Sequence, residues 1–216
     1  RFFSSNGVAP VVRISHPSTS EVAKALDAGA HGIVVPYVET VQQVRDMAGA
    51  VRYRPLKGQK LEELLDAGGP KTPEMIEFFE KFNADTLLII GIESQPAYDR
   101  LDELLAVPGV DGVFIGPHDM TTSIGYPEQY QHPKYQKIVL NTIRKCRAAN
   151  VGIGVHVQPK VYPSDFMLQL MELGMNWILD GADITFVIEG MNRRRKELGF
   201  QQLQASRNLV SSAPMT

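Results

Sequence analysis

Apolar positions along the chain alternate between two textures. Short, nearly continuous apolar runs occur at 10–14, 33–38, 86–93, 110–116, 151–157 and 176–179, most of them bounded by Gly, Pro or Asn. Continuous runs of that length predict strands buried on both faces. Between them, apolar residues recur every three to four positions at 18–28, 40–50, 73–83, 96–105, 134–150, 164–173 and 184–198. That spacing predicts helices, and Ser18 or Thr19 ahead of the first and Gly29 behind it supply its start and stop. Residues 1–7 read as the tail of a helix. Residues 52–73 collect Pro and Gly around a short helical piece at 61–65 and read as a long βα excursion and candidate lid. Residues 120–133 read as a second long loop, and 201–216 as a polar tail.

Strict strand–helix alternation predicts a parallel sheet with helices outside it. Arg13, Glu93, Asp119, His156 and Asp183 all fall at or just after the C-terminal end of a predicted strand. In a (β/α)8 barrel that end is the working face. No Gly-x-Gly-x-x-Gly turn follows a strand and no P-loop is present, so a nucleotide-binding sheet is the weaker choice. The expected fold is therefore α/β, a TIM barrel, as one domain over residues 1–200.

Two of these strands share a design. Residues 86–93 are an apolar run ending on Glu93. Residues 110–116 are another, broken by Gly116-Pro117 and followed by His118 and Asp119. One strand–helix–strand unit separates the carboxylates, so they sit on neighbouring parallel strands, about 4.8 Å apart. Two carboxylates at one point repel unless they share a proton or a cation. A hard divalent ion such as Mg²⁺ or Mn²⁺ resolves the repulsion. The plainer alternative is that Glu93 and Asp119 cap the helices that follow. For Arg13 the corresponding alternative is a strand-end residue paired to a neighbouring carboxylate.

The 216 residues are 44% hydrophobic and 21% charged, enough for one ordinary globular core. A net charge of −2 gives no electrostatic case for nucleic acid or an anionic membrane. No apolar run approaches the length of a bilayer span. The single cysteine, Cys146, excludes an internal disulfide framework and fits a reducing, cytoplasmic compartment. Among the remaining polar residues, His16, His31 and His132 read as turn or loop residues. The basic run at 193–196 reads as a solvated helix end.

Several motifs together resemble the HpcH/HpaI aldolase family: Val12-Arg13-Ile14, Leu26-Asp27-Ala28-Gly29-Ala30, Val35-Pro36-Tyr37-Val38-Glu39-Thr40, Ile92-Glu93-Ser94, and Val113 through Asp119 with Gly125. The resemblance covers residues 8–198. It implies a (β/α)8 barrel and a divalent-metal-dependent aldolase that makes or breaks a carbon–carbon bond next to a 2-oxo acid, with an aldehyde partner. It implies Glu93 and Asp119 as ligands of Mg²⁺ or Mn²⁺, with Co²⁺ as an alternative. Arg13 would steady the pyruvate enolate, and the segment Gly116, Pro117 and His118 would bind substrate. It also implies a homo-oligomer, a hexamer or trimer of dimers, using apolar positions after Asp183. The alternatives are a citrate-lyase-like or CoA-thioester lyase on the same scaffold, and a non-catalytic oxo-acid binder.

Two departures from the family pattern bear on this. Gly91 stands where the family carries Gln or Asn. The six strands also lack the first two of the family, so an N-terminal strand–helix–strand segment bearing the proton-transferring His is expected beyond this sequence.

Overall fold

The structure is a computed structural model and describes residues 2–157 and 162–199. The expected 201–216 tail lies outside the described residues. In order, the elements are α1 (Phe2–Ser5), β1 (Val11–Arg13), α2 (Thr19–Asp27), β2 (Gly32–Val35), α3 (Val41–Arg52), α4 (Gln59–Asp66), α5 (Pro73–Phe82), β3 (Leu87–Ile92), α6 (Gln95–Asp99), α7 (Leu101–Leu105), β4 (Gly112–Ile115), α8 (Pro117–Ser123), α9 (Pro133–Ala148), β5 (Gly152–Val157), α10 (Ser164–Glu172), β6 (Trp177–Asp180) and α11 (Asp183–Glu197). The six strands form one sheet in the order β1-β2-β3-β4-β5-β6, and the pairs from β1 to β5 are parallel.

The chain divides into two compact units, the first ending at Leu179 and the second beginning at Asp180. In the second unit α11 has no buried residue, and Ile184, Phe186, Val187, Ile188 and Met191 are all exposed.

Alternation along the strands splits the sheet into two different faces. Ile33, Val35, Leu88, Ile90, Ile92, Val113, Ile115, Ile153 and Val155 are all fully buried and form the core with the helices. The opposite face carries Arg13, Val34, Ile89, Gly91, Glu93, Gly112, Phe114, Gly116, Gly152, Gly154 and His156. It is rich in glycine, so little side chain fills the space in front of it.

The sheet is curled. Val11 and Arg13 of β1 and Trp177, Ile178 and Leu179 of β6 line the same cavity. In a flat sheet five strand spacings of about 4.8 Å would hold those strands roughly 24 Å apart. The α/β barrel architecture is therefore the expected one, seen here as a six-stranded parallel sheet.

Trp177 fills part of the lumen. A Cβ added at Gly154 would lie 2.2 Å from Trp177 Cδ2, and one at Gly112 would lie 3.6 Å from its Nε1. The indole therefore lies across β5 and reaches β4, where it stacks on Phe114 with ring centroids 6.1 Å apart. Asn176 stitches β6 to β5, its backbone N donating to Ile153 O at 3.1 Å and its Oδ1 accepting from Ile153 N at 2.8 Å. Gly154→Ala is expected to push the indole off β5, at the cost of about 1–3 kcal/mol typical of overpacking. Trp177 is the sole tryptophan, so its emission should shift to the red while the melting temperature falls. Unchanged emission would show that the ring has room to spare.

At the other end of the strands Arg52 acts as a clamp. Its Nη1 donates to Thr86 O at 2.7 Å, its Nε to Gly109 O at 3.2 Å, and its Nη2 pairs with Asp111. Asp111 in turn accepts from Leu88 N at 2.6 Å. These bonds join the entry points of β3 and β4.

Several local expectations change. The excursion at 52–73 follows α3, not a strand, and contributes nothing to the cavity lining. Its Leu65 packs instead on Gly49 of α3, so it is not a lid. The helix expected over 96–105 is two short ones, α6 and α7, meeting at Arg100. The second long loop begins as α8, which places His118 and Asp119 in a helical first turn. His132 caps α9, its Nδ1 accepting from Lys134 N at 3.2 Å. Cys146 is buried in the core, and burial pushes its thiol up to about 12, which removes it as a nucleophile.

Candidate active site

A cavity of about 680 Å³ opens at the C-terminal ends of the strands. Every residue singled out from the sequence as catalytic, substrate-binding or metal-ligating lines it: Arg13, Glu93, Gly116, Pro117, His118 and Asp119. His156, which the strand-end rule also picked out, lines it too. Asp183 belongs to the second unit, where its Oδ1 accepts from Ile184 N at 2.7 Å, a helix-start contact. Sequence reasoning missed Tyr130 and Trp177 as cavity residues. Tyr130 lay in a segment read as loop, and Trp177 in a strand read only for its apolar character.

Glu93 is the most constrained group in the site. It follows β3 directly and is only 5% exposed. Register places Ile92 opposite Ile115, so the next step sets Glu93 beside Gly116. The packing there is tight. A Cβ on Gly116 would meet Glu93 Cγ at 2.8 Å and Oε1 at 2.9 Å. Gly116 is therefore glycine because the Glu93 side chain occupies the place of its missing Cβ. On the other side Glu93 Oε2 accepts from Tyr37 N at 3.0 Å. Burial raises the pKa of Glu93. The Tyr37 amide opposes that rise, the Asp119 charge adds to it, and the Arg13 charge lowers it.

Asp119 and His118 are exposed at the start of α8, after a break made by Gly116 at the N-cap and Pro117 at the first helical position. Arg13 is the last residue of β1 and is also exposed to the cavity. A second, smaller cavity of about 260 Å³ shares Glu93 and Asp119 with the first and is otherwise lined by Tyr37, Val38, Glu39, Ser94, Thr122 and Ser123. The two carboxylates thus stand between two cavities.

The cap alternative for Glu93 does not hold. Ser94 is the N-cap of α6, its Oγ accepting from Ala97 N at 3.3 Å, and Glu93 points to β2 and β4 instead. Among the described residues, no group of three or more His, Cys, Asp and Glu is arranged to hold a metal. The site offers two carboxylates, one buried at an energetic cost that a cation would relieve.

The sequence profile of the HpcH/HpaI aldolase/citrate lyase family matches residues 1–184. The chain belongs to that family. It is a carbon–carbon lyase of the aldolase kind. It is 34% identical over 186 residues to a 2-keto-3-deoxy-L-rhamnonate aldolase of Shigella sonnei, covering 86% of this chain and 67% of that one. The corresponding Escherichia coli K12 aldolase is 33% identical over the same span of 186 residues, with 86% and 67% covered. The crystal structure of an HpcH/HpaI aldolase from Desulfitobacterium hafniense shares the fold, with a TM-score of 0.71 at 24% identity over 93% of this chain and 78% of that one. Among the described residues no helix is long and apolar enough to cross a membrane.

Proposed function

We propose that this aldolase makes or breaks the carbon–carbon bond next to a 2-oxo acid, with pyruvate as the enolate half and an aldehyde as the other product. Its cofactor is a divalent cation, Mg²⁺ or Mn²⁺. The observation that carries this reading is the buried Glu93 carboxylate, packed on Gly116 and facing the charges of Asp119 and Arg13 across one cavity. Glu93 and Asp119 would hold the cation, and substrate and water oxygens would complete its shell. When bound, the cation supplies Lewis-acid polarisation of the oxo acid's oxygens.

The chain's own residues would supply charge stabilisation, substrate binding and shelter from water. In cleavage, a general base takes the C4 hydroxyl proton of a 4-hydroxy-2-oxo acid, the aldehyde C=O forms at C4, and the C3–C4 bond breaks. The electron pair moves to the C2 oxygen as an enolate, which is then protonated at C3. Arg13 places a fixed guanidinium where that negative charge develops. The first-turn N–H groups of α8, at His118 and Asp119, have no intrahelical acceptor and would receive the substrate carboxylate. Phe114, Trp177, Val34 and Ile89 form apolar walls that limit water around the enolate. The exposed apolar side chains of α11 are the surface a homo-oligomer would cover.

The test is release of pyruvate from a 4-hydroxy-2-oxo acid in the presence of Mn²⁺. Turnover that disappears on chelation and returns with Mn²⁺ is expected. Saturable pyruvate binding without turnover under any divalent ion would replace the lyase with a binder.

A further inference from the structure

Tyr37 has an unusual backbone. It follows β2 with a φ of 56°, the left-handed region, which is an outlier for a bulky residue without a short polar side chain. Left-handed non-glycine residues persist only where their surroundings hold them, and they concentrate at working sites. The side chain gives no reason for the conformation, since Tyr37 is 50% exposed and no hydrogen bond is made by its hydroxyl among the described residues. The backbone does give one. The Tyr37 N–H donates to Glu93 Oε2 at 3.0 Å, and the positive φ sets the direction in which the chain leaves that peptide toward Glu39 and α3.

The neighbourhood is built around that bond. A Cβ at Gly91 would meet Val35 O at 3.2 Å, Pro36 Cα at 3.3 Å and Glu93 Cδ at 3.2 Å. The glycine therefore lets the end of β2 and the Glu93 carboxyl close on each other. Two residues beyond Tyr37, Glu39 accepts from Ser94 Oγ, a second tie between the same two loops. Thr40 then starts α3 with a capping box, fixing the far end of the segment.

We propose that Tyr37 is a positioning residue for Glu93, acting through its left-handed peptide N–H and not through its ring. Gly91 and Gly116 supply the space in which that contact is made. The amide occupies one lone-pair direction of Oε2 and fixes the rotation of the carboxylate. A flexible carboxylate would have to be ordered each time a cation or substrate arrived. The inference rests on the proposed role of Glu93 only in its second readout below.

The first readout needs no metal. In the metal-free protein the Tyr37 amide proton, followed by NMR, should be protected from exchange and shifted by its charged acceptor. Glu93→Ala should remove both effects at Tyr37 while leaving amides of β5 unchanged. A Tyr37 amide indifferent to that substitution overturns the proposal.

The second readout is Mn²⁺ affinity by calorimetry, on variants shown to melt as the parent does. Tyr37→Val opposes a positive φ and should weaken Mn²⁺ about tenfold or more, the scale seen when partners behind metal ligands are lost. Tyr37→Gly and Tyr37→Asn remove the ring but accept a positive φ, and should bind Mn²⁺ as the parent does. Equal losses in all three would assign the effect to the ring, and no loss in Tyr37→Val would show that the peptide positions nothing; either result overturns the proposal. If parent and Glu93→Gln bind Mn²⁺ alike, it is the metal reading that fails, and the NMR result still decides the role of Tyr37.

Discussion

Glu93→Gln and Asp119→Asn are each expected to lower Mn²⁺-dependent turnover by about a thousandfold or more while leaving the fold intact. The scale is that of losing a preorganised electrostatic stabiliser at an enolate or oxyanion. Asparagine and glutamine keep shape and hydrogen-bonding capacity but remove the charge that draws in the cation. The fold should survive because Glu93 is a burden on it in the absence of a cation. Burial raises its folded pKa above the ordinary 4.5, with Asp119 adding to the rise. A raised pKa means the folded chain holds the proton more tightly than the unfolded one. That contribution is fully present below the unfolded pKa and is lost as pH rises through the folded pKa. At neutral pH the metal-free Glu93→Gln protein should therefore melt higher than its parent. The difference should vanish as the pH falls below the ordinary carboxylate range. Near-parental turnover in either variant would remove the carboxylate from the mechanism. A Glu93→Gln protein that melts lower at neutral pH would mean that the charge is already compensated in the fold.

Arg13→Lys is the second large effect, expected to cost about 10²- to 10³-fold in kcat with the metal affinity little changed. Both side chains are cations, so net charge is constant. The ammonium lacks the planar fork that can address an enolate oxygen and a neighbouring carboxylate together. Arg13 ends β1 at the edge of the sheet, and its charge is felt at Glu93 across the lumen. A loss confined to KM would mean that Arg13 binds the ground state and the transition state equally. Parental kcat in the lysine variant would end its assignment.

The strands were legible in the sequence because each is an apolar run flanked by breakers, and their order followed from strict alternation with helices. Arg13, Glu93 and Asp119 were legible for a related reason. Parallel strands joined by helices all point their C-terminal ends the same way, so a charged residue at that end reaches a common face whatever lies between. Helix boundaries were less legible. Gly116-Pro117 was read only as the break that ends a strand, yet a proline at the first helical position suits a helix start equally well. The excursion at 52–73 was misplaced because composition reports a break in periodicity but not the side of the sheet on which it falls.

What the sequence determined by itself was the class of fold, the face at the C-terminal ends of the strands and the pair of carboxylates on it. The tertiary structure alone decided how those groups are held. Nothing local at residue 37 announces a left-handed peptide, and nothing at 154 or 116 says which side chain uses the space a glycine leaves. Tyr37 meets Glu93, Trp177 lies on Gly154, and Arg52 reaches Asp111 across long stretches of chain. Such contacts depend on strand register and on the curl of the sheet, which arise only when all six strands pack together. Periodicity records which face a residue takes, and the packed sheet decides what it meets there.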